Sequence, residues 1–306
     1  MGSRLVLVGG MIACISVALA ARGGPRGGPG GGPGGGEGAG TPGSGVATPE
    51  AKADDMEQQG SKLVRPSLIS DAASVAVGAE VWLAVAFDIE KGWHTYWRNA
   101  GESGLPPSFE FKVEPEGALE IGEAQWAAPK RHVTGGEILD FVYEGRVLHL
   151  FRAKVTEKAT GPTIKVKCAA SWLVCQEACL PGHGAAELSL RVGAAEASGA
   201  AKEVQQAVAA LPAEPKGQVS WSWNGSELWI ESPLHAPPRM VFFPLETDGN
   251  PVPTNLLKGG ESSGGLRLKF DPEDLKPGAV IRGVVTVQGR GFIQYLLEIR
   301  PGESSE

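Results

Sequence analysis

Cys175 and Cys179 are separated by Gln-Glu-Ala and followed by Leu180-Pro181-Gly182. Thiols at this spacing can be bonded if the chain turns between them and brings their Cα atoms within about 7 Å. The chemistry such a pair offers is thiol–disulfide exchange, in which a thiolate attacks one sulfur and the other leaves. A static bridge that only closes a loop fits the same residues, and the two readings stand side by side. Thr163 to Val174 reads as a strand and Ala186 to Val192 as its return. That puts the two sulfurs at or near the connecting turn, where loops at the end of a rigid scaffold carry exchangeable groups. Cys179, beside the Pro-Gly turn, is the expected point of attack.

Nothing nearby activates the pair strongly. Glu177 lies between the cysteines, no Lys or Arg occurs between Lys167 and Arg191, and His183 is the one plausible positive neighbour. Low-pKa nucleophilic thiols sit beside cations or at helix N-termini, so this pair suits being attacked and passing electrons on, with no cofactor. A metal reading competes: Cys175, Cys179 and His183 form Cys-x3-Cys-x3-His, a donor set for Cu(I) or zinc. Its spacing is not a structural zinc pattern, and Pro181-Gly182 would break a helix aligning the three. Cys168 falls in phase with Ile164, Val166, Ala170 and Trp172. It reads as a small buried hydrophobe, with a third exchanging thiol as the alternative.

Two aromatic segments could frame the thiols. In Gly92-Trp-His-Thr-Tyr-Trp-Arg-Asn-Ala-Gly101, alternation puts Trp93, Thr95 and Trp97 on one face and His94 and Tyr96 on the other. Packing explains most of it; the second reading makes His94 and Tyr96 part of a rim around the sulfurs. Asp140-Phe141-Val142-Tyr143-Glu144-Gly145 puts two aromatics where they either shield a thiol or cap the core. There is no Gly-x-Ser-x-Gly elbow, P-loop or dinucleotide fingerprint.

The elements that must position these residues are β-rich. From Lys62 the chain runs in short alternating segments split by Gly, Pro and Asp, the pattern of antiparallel sandwiches. Residues 196 to 211 read as a helix with Val204, Val208 and Leu211 on one side, and Asn224-Gly225 marks a hairpin in a second β block. The expected fold is all-β: two immunoglobulin-like antiparallel sandwiches over 62–195 and 196–302, joined by a short helical connector. Ahead of them, residues 21–61 are Gly/Pro-rich and expected to be disordered. Residues 1–20 read as a signal peptide with an Ala18-Leu19-Ala20 cleavage site, lipid anchoring at Cys14 being the rival processing. After residue 20 no apolar run is long enough to span a membrane. A net charge of −7 and a pI near 5.4 argue against nucleic acid as a partner.

Gly92 to Pro107, Tyr143-Glu-Gly145 and Trp172 to Gly182 together resemble the periplasmic N-terminal region of the DsbD family. They are nearest its ScsB-like branch, linked to suppression of copper sensitivity, and Val241-Phe-Phe-Pro244 is similar to that branch's second sandwich. The resemblance covers roughly residues 62 to 300. It implies an immunoglobulin-like thiol domain in the periplasm. Such a domain takes electrons from a membrane-embedded thiol reductase and hands them to thioredoxin-like clients, including those of cytochrome c biogenesis. Cys175 and Cys179 match the family's exchanging pair, and Phe141 to Tyr143 fall where the family has a cap over the thiols. Cys168 matches no position of the motif. The membrane conduit and terminal thioredoxin-like domain of the full-length reductase are absent from this sequence, so the expectation is an exchange component dependent on a partner for reductase activity.

Overall fold

A computed structural model describes residues 49–233, 238–245, 249–289 and 292–305. The expected signal peptide, Cys14 and the glycine-rich repeat lie outside the described residues. Within them the fold is all-β, as the alternating sequence requires.

Helix α1 (Pro49–Leu63) is followed by strands β1 (Val64–Ser70), β2 (Ala72–Val75), β3 (Glu80–Ile89), β4 (His94–Gly101), β5 (Ser108–Glu114) and β6 (Leu119–Gln125). Then come β7 (Lys130–Thr134), β8 (Ile138–Glu144), β9 (Arg146–Val155), β10 (Thr163–Cys175), β11 (Cys179–Val192), β12 (Glu196–Ala197) and helix α2 (Ala201–Ala209). One sheet runs β1-β3-β9-β6; the facing sheet runs β12-β2-β11-β10-β4-β8-β7, with β5 also on β10. The second sandwich packs β13 (Ser220–Asn224), β14 (Glu227–Glu231) and, later in the chain, β17 (Leu266–Lys269) against a second sheet. That sheet is built from β15 (Arg239–Pro244), β16 (Glu261–Ser263), β18 (Ile281–Gln288) and β19 (Phe292–Ile299), with the short helix α3 (Leu256–Gly259) between β15 and β16. The Asn224-Gly225 hairpin forms as expected, Asn224 pairing with Glu227 and Gly225 taking a φ of 61°.

Strand alternation fixes which side chains meet. On β10, Ile164, Val166, Cys168, Ala170, Trp172 and Val174 all point into the first sandwich and are buried. Cys168 is a free thiol in that core, its pKa pushed up to about 11 by burial. Cys175, seven positions further on, falls on the opposite face, so the two cannot pair. The two sandwiches share buried surface: Phe243 of β15 meets Trp97 and Phe141 with ring centroids 6.1 and 5.4 Å apart.

Three expectations need correction. The expected disordered stretch ends in a helix: α1 occupies residues up to 63 and packs along β11. Its Gly60 lies so near Pro181 that a Cβ would sit 2.0 Å from the carbonyl oxygen, and Trp172 Nε1 donates to the Gly60 carbonyl at 3.3 Å. Pro181-Gly182 is not a turn either; β11 begins at Cys179, and Pro181 pairs with Leu173. Proline is tolerated there because β2 joins the other side of β11 only at Arg191 and Val192, leaving an edge that α1 covers. Lastly, residues 196 to 211 pack on the first sandwich: β12 pairs with β2, while Val204, Val208 and Leu211 cover Ala84 and Leu150. Apolar contact therefore extends the first unit past residue 195.

Candidate functional site: a disulfide at a hairpin tip

The β10–β11 hairpin keeps register from Thr163↔Arg191 to Cys175↔Cys179, closed by the turn Gln176-Glu177-Ala178. β10 outruns β5, which ends its pairing at Ser171↔Ser108, and its tip reaches β4 through Cys175↔His94. Cys175 and Cys179 are joined in a disulfide, with Cα atoms 4.1 Å apart. Cys175 is 3% exposed, whereas Cys179 is open to solvent.

Register partners carry their side chains on the same face. Cys175, His94 and Tyr96 therefore share the outer face with Asp140, Val142 and Glu144 of β8, and Tyr96, Ala100, Val142 and Cys175 form a small cluster of their own. The Tyr96 hydroxyl donates to Cys175 Sγ at 3.0 Å and lies 3.5 Å from Cys179 Sγ. Burial raises the phenol's pKa, so the hydroxyl keeps its proton and remains a donor. The loop after β4 covers this ring. Gly104 (φ 78°) runs so close that a Cβ would meet the Tyr96 ring at 2.2 Å, so only glycine fits. Ser103 anchors the loop: its N–H and its hydroxyl donate to the Asp140 carboxylate at 2.7 and 2.6 Å.

His94 is 5% exposed; its ring is edge-on to Tyr96 at 5.5 Å and 4.6 Å from the His132 ring. Burial lowers its pKa first, and His132 lowers it further, against the opposing pull of Asp140 and Glu144. Lys130 Nζ donates to Glu144 at 2.8 Å and holds that carboxyl below its usual range.

Residues 65–190 match the family model for thiol:disulfide interchange protein DsbD, N-terminal. This segment is a DsbD N-terminal domain. The chain's fold, second sandwich included, is similar to that of the N-terminal periplasmic domain of ScsB from Proteus mirabilis. That likeness has a TM-score of 0.51 and 17% identity, over 76% of this chain and 92% of that one. The reduced DsbD N-terminal domain of Neisseria meningitidis aligns at 18% identity, over 44% of this chain and 90% of that one, with a TM-score of 0.26. No curated protein matches the chain in sequence.

Some expected site residues of the DsbD-type domain lie elsewhere. Phe141 and Tyr143, expected as a cap, point into the core from the inner face of β8. Phe141 packs on Trp97 and Phe243; Tyr143 stacks on Trp126 and donates to the Ala127 carbonyl at 2.5 Å. The segment is a strand, so period two sends both aromatics inward and leaves Val142 outside. The cover over Tyr96 is the loop of residues 102–107, and the glycines at 101 and 104 are its signal in the sequence. His183 is remote from the sulfurs: four strand residues, about 13 Å, separate it from Cys179. Its Nδ1 lies 2.8 Å from Glu57 Oε1 of α1. Cys175, Cys179 and His183 are thus not assembled as ligands, and no other such cluster occurs among the described residues.

Proposed function

We propose that this protein is an exported thiol–disulfide interchange component that relays reducing equivalents through Cys175 and Cys179. The donor is a membrane-embedded thiol reductase and the acceptors are thioredoxin-like client proteins in the periplasm. One observation carries the reading: an open sulfur, Cys179, is bonded to a buried one, Cys175, under a hydroxyl donor. The DsbD N-terminal match over residues 65–190 supports the same chemistry. For the compartment, the support is the first 20 residues and the similar ScsB domain, described as periplasmic. No helix among the described residues is long and apolar enough to cross a membrane.

In the first step the donor's thiolate attacks Cys179 Sγ. The Cys175–Cys179 bond breaks, and Cys175 leaves as a thiolate that accepts the Tyr96 hydrogen bond. The donor's second thiolate then attacks its own sulfur in the mixed disulfide and releases Cys179, leaving the donor oxidised. Two electrons have moved to the pair, and the two thiolates take up protons from water. Run in reverse toward an oxidised client, Cys179 attacks first and Cys175 resolves.

The assignment is tested with cysteine variants and a purified thioredoxin-like disulfide protein. Cys175→Ser keeps the attacking sulfur and lacks the resolving one, so a mixed disulfide through Cys179 should accumulate by mass spectrometry. Cys179→Ser should form none and lose client reduction. Unchanged client reduction by Cys179→Ser would overturn the reading. Titration of the native pair against glutathione separates exchange from a static bridge, which would hold a potential below about −300 mV.

A further inference from the structure

The exchange step leaves a negative charge on Cys175, in a place shielded from water. His94 is the in-register neighbour of Cys175 on the adjacent strand, where such side chains stand about 5 Å apart at Cβ. Its ring touches that of Tyr96, whose hydroxyl donates to Cys175 Sγ. Resting on the exchange reading above, we propose that His94 is a positioning residue for the reaction: its imidazolium stabilises the leaving Cys175 thiolate, and His132 tunes the pH at which that charge is available.

Every element around His94 contributes to this balance. From β4 comes the Tyr96 phenol; from β10, Cys175 itself. From β8 come Asp140 and Glu144, both of which favour the charged ring, and from β7 comes His132, which opposes it. Lys130 is tied to Glu144, and Ser103 is tied to Asp140 by two hydrogen bonds, so both carboxylates are already engaged. With the disulfide closed, burial and His132 keep His94 neutral at pH 7. When the donor thiolate becomes bonded to Cys179 and the electron pair goes to Cys175, the new anion raises the proton affinity of His94. A proton from water then joins the ring, and the site gains no net charge. A ring kept only for packing would be indifferent to pH.

The test is the rate of disulfide reduction by dithiothreitol between pH 5 and pH 8, for the whole protein and for His94→Gln. Taking the ratio of the two rates cancels the ionisation of dithiothreitol. The ratio should be about tenfold at pH 5, as for a unit charge a few ångströms from the thiolate, and fall toward one by pH 8. A ratio that is the same at every pH overturns the proposal. His132→Gln, on a half-exposed position of β7, gives a second reading that does not depend on His94→Gln folding. Removing the repelling ring should move the inflection of the native profile to higher pH, and an unmoved inflection counts against His94. If no protein is reduced at any pH, it is the exchange reading that fails; if reduction proceeds with no inflection, only the role of His94 does.

Discussion

The two faces of β4 and β8 are built from alternate residues of the same strands, yet they hold opposite environments. On the inner face Trp97, Phe141 and Tyr143 sit in a dry aromatic core that runs on to Phe243 of the second sandwich. On the outer face Tyr96, Asp140 and His94 surround a disulfide whose far sulfur meets solvent. The contrast separates two tasks. Packing on one side fixes the backbone, and because Tyr96 and Trp97 are consecutive residues, a backbone held by Trp97 also fixes the hydroxyl at the sulfurs. The second sandwich buttresses the site from behind, and none of its described residues is among the groups named around the sulfurs.

The strongest way to break this division is Phe141→Ala. Removing a fully buried ring should cost about 3–5 kcal/mol through lost burial and the cavity left behind. The rate of exchange per folded molecule should stay within about twofold of native, because no atom of the outer face is lost. Urea unfolding and a rate measured well below the transition would check both halves. A native stability with a collapsed rate would mean that the faces are not separable.

The histidines sharpen the comparison. His149, on β9, is boxed in by Phe87, Phe109, Trp126 and Tyr143, with its Nε2 buried and unpartnered. Burial alone drives its pKa from 6.5 to about 3. Above pH 6.5 the ring is neutral folded or unfolded and has no effect on the equilibrium. Below that the unfolded chain takes a proton that the folded chain takes only near pH 3, so stability falls through that window. The slope from this residue is about 1.4 kcal/mol per pH unit, or about 2 kcal/mol by pH 5. Chemical denaturation at pH 7 and pH 5 should show that loss in the native protein and much less of it in His149→Leu. His94, by contrast, should influence rate far more than stability.

What the sequence made legible follows the strength of its local signals. Period-two runs such as Ile164 to Val174 marked the strands and the inward Cys168, and the spacing of Cys175 and Cys179 marked the site. The same alternation separates Tyr96 from Trp97. Asp140 to Glu144 carries two readings in sequence, a shield over a thiol or a cap on the core, and only the strand pairing of β8 decides between them by sending Phe141 and Tyr143 inward. Helix α1 was hidden because its sequence is mostly polar, and what holds it is a remote approach of Gly60 to Pro181. The His94–His132 contact joins residues 38 positions apart across an intervening strand, which no local pattern encodes.

The finest probe of the outer face is Tyr96→Phe. The ring and its contact with Gly104 remain, and only the hydroxyl that reaches both sulfurs is lost. A neutral hydrogen bond to a sulfur in the closed disulfide is a modest contributor, so stability should change by less than about 1.5 kcal/mol. A hydrogen bond to the departing thiolate is worth more, and reduction of the disulfide should slow about tenfold. The signature is thus the inverse of Phe141→Ala: rate lost with the fold retained. Reduction at the native rate would mean that Tyr96 serves Cys175 only as a covering ring, and the polarity of this face would then have to act through His94 alone.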